Sequence, residues 1–71
     1  MEKAHQLTSR QKQILELKAN GFLNKQICAQ LDLTEPTIHE HLKRACKTLK
    51  AKNTAHAIAL AVMQDLITIT D

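Results

Sequence analysis

The side chains able to do chemistry in this chain are four histidines, two cysteines, seven acids and ten bases. Catalysis would need a nucleophile, a base and an acid brought together. The acids are scattered, His39 and His41 are two apart and diverge on a helix, and no glycine-rich phosphate loop exists. Cys28, Cys46 and a histidine have no recognised metal-ligand spacing. Each cysteine has apolar neighbours at helical spacing, which predicts buried free thiols. The expectation is a protein that is not an enzyme, with no metal and no cofactor. The bases are distributed differently. Residues 1–36 sum to +1, residues 37–52 to +4 and residues 53–71 to −2, within a total of +3. Charge concentrated on one short segment suits a polyanion, and nucleic acid is the commonest; on charge alone, a solvated basic helix face is the alternative.

Such a segment needs a scaffold. Seventy-one residues allow one small core, and 44% hydrophobic with 24% charged residues is the balance of a folded globular chain. One glycine and one proline are too few turn-formers for a set of short strands. Phe22 is the only aromatic residue, so Leu, Ile, Val and Ala must fill the core. The expected fold class is all-α, a compact four-helix domain. No apolar run approaches the roughly 18 residues of a membrane span and the N-terminus has no hydrophobic signal core, so no membrane partner and a cytoplasmic location are expected.

Thr8 and Ser9 open a first helix over about 9–20, with Gly21 available for a left-handed stop. Asn24 is the expected cap of a short second helix over 24–31. Asp32-Leu33-Thr34 then connects to a third helix of about 35–50, capped by Thr34, with Pro36 in its first turn, where a missing N–H is harmless. There Ile38, Leu42, Ala45, Cys46 and Leu49 make one apolar stripe. A step of about 100° per residue puts Pro36, Glu40, Lys43, Arg44 and Lys47 opposite, with Thr37 and His39 at the edges. A fourth helix is expected over 54–66, capped by Asn53 or Thr54, with two apolar lines: Ala55, Ile58, Val62 and Leu66, and His56, Leu60, Met63 and Ile67. A four-helix monomer can cover one of these, so the second predicts a partner surface, most simply the same helix of another copy, unless the tail folds back over it. A short helix, a three-residue turn and a longer helix with one apolar and one basic face are the parts of a helix-turn-helix, whose second helix enters the major groove.

The residues also resemble a family. Leu7-Thr8-Ser9-Arg10, Ile14-Leu15, Leu17, Ala19-Asn20-Gly21, Asn24-Lys25-Gln26-Ile27, Leu31, Thr34, Thr37-Ile38, His41-Leu42, Leu49 and Asn53 are similar, at the family's spacing and without a gap, to the LuxR-type (GerE-like) helix-turn-helix domain of quorum-sensing regulators and nitrate-response-type response regulators. The resemblance runs over about residues 7–62. It implies a sequence-specific duplex-DNA-binding transcription regulator that dimerises through its fourth helix, with the third helix reading inverted half-sites and RNA polymerase as an optional further partner. Carried onto this chain, the base-reading positions are His39, Glu40, Lys43 and Lys47. Lys43 can donate to guanine O6 and N7, and Glu40 can accept from cytosine N4. The phosphate candidates are Thr8, Arg10, Asn24, Lys25, Thr34, Thr37 and Arg44, two of them at helix starts where free N–H groups attract anions. His56, Leu60, Met63 and Ile67 form the expected dimer surface, and His41 is expected to pack or hydrogen-bond. Three departures from the family stand out: Gln11 for a Glu, Cys28 for a small Ala, and Lys50-Ala51-Lys52 for a Gly-Val-Ser-like link.

The expected organisation is a flexible arm over residues 1–6, the domain over 7–67 and a tail over 68–71, the whole being either a complete small regulator or a piece of a longer one. Two rivals remain: a stand-alone helix-turn-helix module that binds and modulates a partner regulator, and a domain like region 4 of a sigma factor, which the Asn24-Lys25 start and apolar fourth helix disfavour. Single-stranded nucleic acid is disfavoured because stacking platforms need several aromatic side chains.

Overall fold

Four helices form where the caps and apolar periods require them. The computed structural model describes residues 7–70, and the proposed N-terminal arm lies outside these. The elements are α1 (Ser9–Ala19), α2 (Asn24–Leu31), α3 (Glu35–Leu49) and α4 (Thr54–Met63), with no strand among the described residues. The all-α, four-helix expectation holds. Among the described residues no helix is long and apolar enough to cross a membrane.

Three of the four starts are capped by a side chain. Thr8 Oγ1 accepts the Gln11 N–H at 3.1 Å and Gln11 Oε1 accepts the Thr8 N–H at 3.2 Å. This reciprocal box explains the departure at residue 11, because Gln fills the role as well as Glu does. Thr34 caps α3 and Asn53 caps α4. The second helix departs from expectation: Leu23, not Asn24, is the capping residue, and Asn24 is the first helical residue. Leu23 has no side-chain acceptor, so the turn is held from the other side, Gln26 Oε1 accepting the Leu23 N–H at 2.8 Å.

All four helices stop in the same way, with an amide bonding back five residues across a left-handed residue. The bonds run from Phe22 to Leu17, Leu33 to Cys28, Ala51 to Cys46 and Leu66 to Ala61, at 3.0, 3.1, 2.8 and 2.8 Å. The left-handed residue is Gly21 in the first case, then Asp32, Lys50 and Asp65, at φ 59°, 58° and 59°. Asp tolerates that region; a Lys there carries a penalty of about 1 kcal/mol. Lys50 therefore keeps the turn for which a Gly link is usual.

The core is aliphatic: Leu7, Ile14, Leu15, Ile27, Ile38, Leu42, Ala45, Ala57, Ala61 and Ile67. α3 packs against all three other helices, so its inner face is held from several sides. Phe22, Cys28 and Cys46 sit at the core's edge; both thiols are free but half-buried, not buried as expected.

The last correction concerns α4, which ends at Met63, three residues early. The chain turns at Asp65 and lays its tail along α1. Glu16 Oε2 accepts the Thr68 N–H at 2.6 Å, while Asn20 donates from Nδ2 to the Thr68 carbonyl at 3.0 Å and accepts the Thr70 N–H at 2.6 Å. Ile67 is thereby carried off the helix and buried.

Candidate nucleic-acid interface

The outer face of α3 is backed by an inner face buried against the other three helices. Ile38 and Ala45 are fully buried and Leu42 nearly so, while Glu40, Lys43, Arg44 and Lys47 on the opposite stripe, and His39 beside them, are exposed. Thr37 and His41 are half-buried at the edges. The four expected base-reading residues thus share one side of one helix.

The charges on that stripe are not equivalent. Arg44 Nε donates to Glu40 Oε2 at 2.9 Å, the i, i+4 order with the acid first that helices favour. Lys43 and Lys47 enter no ion pair among the described residues. Both partners of the pair are well exposed, so it adds only about 0.2–0.5 kcal/mol to helix stability. Its effect is on side-chain direction. The pairing lay outside the residue-by-residue reading, although the i, i+4 spacing of Glu and Arg was its signal.

The phosphate candidates lie at the starts of α1, α2 and α3, with Arg44 on the α3 stripe itself. Thr34 Oγ1 accepts the Thr37 N–H at 3.4 Å and lies 3.0 Å from Thr37 Oγ1, so the two hydroxyls form one polar edge at the start of α3. Thr8 is occupied as a cap, and exposed Arg10 donates from Nη1 to Gln13 Oε1 at 3.3 Å. At the start of α2, Lys25 is exposed and Asn24 half-buried. Asn24 Oδ1 is buried with no hydrogen-bond partner, an arrangement consistent with its loss of the capping role. The first N–H groups of α2 lack a side-chain cap, the condition under which a helix start is free to meet an anion.

α4 presents a different surface. Ala57 and Ala61 are buried, His56, Ile58, Leu60 and Val62 half-buried, and Ala55, Ala59 and Met63 exposed. His56 is tied to the helix start, its Nδ1 accepting the Lys52 N–H at 3.0 Å and its own N–H reaching Asn53 Oδ1 at 2.8 Å. Of the four residues expected on the outer face, Met63 is the most open at 73% exposure. Ile67 is absent from that face because the tail carries it into the core. Among the described residues no group of three or more His, Cys, Asp or Glu side chains is placed to hold a metal ion.

Comparison with known proteins agrees with this architecture. The chain is 43% identical over 63 residues to the nitrate/nitrite response regulator protein NarL of Escherichia coli (strain K12), spanning 89% of this chain and 29% of that protein. It is 37% identical over 65 residues to the uncharacterized transcriptional regulatory protein YhcZ of Bacillus subtilis (strain 168), with 92% and 30% covered. It is 39% identical over 56 residues to the probable transcriptional regulatory protein SgaR of Hyphomicrobium methylovorum, with 79% and 26% covered. The chain therefore spans less than a third of the length of these relatives. The family model described as bacterial regulatory proteins, luxR family, matches residues 5–61. With the helix-turn-helix geometry of α2 and α3 already in place, this chain belongs to the luxR family of bacterial regulatory proteins.

Proposed function

We propose that the chain is the duplex-DNA-reading unit of a transcription regulator, with α3 in the major groove and α4 joining two copies so that paired half-sites are read. The observation that carries this reading is the two-sidedness of α3: a buried aliphatic stripe behind, and Lys43 and Lys47 exposed in front. A helix fits the major groove, where each base pair shows a distinct donor and acceptor pattern. Lys43 donates to guanine and Glu40 accepts from cytosine, while His39 and Lys47 extend the reading surface. Thr8, Arg10, Asn24, Lys25, Thr34, Thr37 and Arg44 set the register on the phosphates.

Dimer formation is supported by the uncharged sequence of α4 and by the exposure of Met63. His56, Leu60 and Met63 form that surface, with Ile67 buttressing it from inside. The same surface also favours a second reading, capture of a partner regulator, in which α3 would stay free of DNA.

A salt titration tests the proposal. Binding to a pool of random duplexes should weaken roughly a hundredfold between about 50 and 200 mM salt if about four phosphates are neutralised. Absence of duplex binding at the low end would reject the DNA reading and leave partner capture.

A further inference from the structure

The reading stripe of α3 contains one residue that accepts hydrogen bonds only, Glu40, among side chains that donate. A free carboxylate there would face phosphates that repel it and would rotate among several staggered positions, so its value for reading a base would be low. Neither condition holds. Arg44 Nε is bonded to Glu40 Oε2 at 2.9 Å, which occupies one carboxylate oxygen, leaves the other available and offsets the charge.

We infer that Arg44 is a specificity-determining positioning residue: held through Nε, Glu40 presents its second oxygen to the N4 amino group of a cytosine. This rests on the DNA-reading assignment of α3. The contact to Glu40 uses one of the five N–H donors of the guanidinium. The two Nη groups remain for a backbone phosphate, so one side chain links a positioning contact to a reading contact. Arg is suited to this because its planar group fixes direction, whereas a Lys ammonium is a point charge on a flexible stem. Lys43, three residues from Glu40, has no such engagement among the described residues and keeps its ammonium for the groove. The side chains of Arg44 and Glu40 are 67% and 52% exposed, so altering either leaves the core untouched.

The test compares two duplexes: one recovered by this chain from a random pool, and the same duplex with the cytosine pair whose preference depends on Glu40 changed to T·A. The unaltered chain should prefer the first by roughly fivefold or more. E40A should abolish that preference. R44A should remove most of it although Glu40 is present, and E40A/R44A should show no further change in the ratio. R44K should bind with near-normal strength and reduced preference. If R44A weakens both duplexes by the same factor and leaves the preference intact, Arg44 is a phosphate contact only and the inference falls. It falls also if E40A keeps every base preference of the unaltered chain. Failure of the unaltered chain to bind any duplex is a different result, and would reject the DNA-reading assignment itself.

Discussion

α3 and α4 are built alike and finished differently. Each starts at a capped N-terminus, Thr34 or Asn53, and each ends on a left-handed residue that is not glycine, Lys50 or Asp65. Each places small and aliphatic side chains in the same core. Their outer faces share nothing: α3 exposes two acids, Glu35 in its first turn and Glu40 on the reading stripe, and several bases, while α4 has no Asp, Glu, Lys or Arg along its length. Caps and inner faces make the fold, and they leave the outer faces free to differ. The two outer faces therefore carry the two proposed contacts, a polyanion for α3 and an apolar partner for α4.

The shared inner face gives the largest expected effect. Ile38→Ala should lower stability by about 2–5 kcal/mol, seen as a lower urea midpoint, and DNA binding and self-association should fail together. If either survives in an unfolded chain, the dependence of both faces on one core is wrong. The outer face of α3 comes next. Lys43→Ala should reduce affinity by about 1–3 kcal/mol and relax preference at one base pair of each half-site, with the urea midpoint unchanged. A uniform loss across sequences would make Lys43 a phosphate contact.

On α4, Met63→Glu should weaken self-association by about 1–2 kcal/mol in sedimentation while the chain stays folded. An unchanged dimer would remove α4 from the interface. The smallest effect tests the common stop. Lys50→Gly should raise stability by about 0.4–1 kcal/mol and leave base preference unaltered. A loss of stability would mean that the Lys side chain holds the link between α3 and α4.

The parts of this design legible in the sequence are those with local causes. Thr34, Pro36 and the spacing of Ile38, Leu42 and Ala45 set where α3 starts and which side it buries, since a cap and a 3.6-residue period need only near neighbours. The cap expected at Asn24 falls at Leu23 instead, one residue earlier, where the Gln26 side chain accepts the Leu23 N–H. The end of α4 had no local signal at all. Leu66 and Ile67 continue the apolar pattern at helical spacing, and the earlier stop goes with burial of Ile67 and with tail contacts to Glu16 and Asn20, some fifty residues away in the chain.

Composition and periodicity thus settled the class of fold, the four helices, the buried side of α3 and the charge of its exposed side, because each follows from residues within a turn or two of one another. Where α4 ends, that Ile67 belongs to the core, and that Lys50 adopts a left-handed turn were decided by packing. At the end of α4 the local preference is weak, and burial of Ile67, with the amides and a carbonyl of the tail satisfied by Glu16 and Asn20, outweighs it. At Lys50 it is opposed, and the packing of α3 against α4 outweighs it.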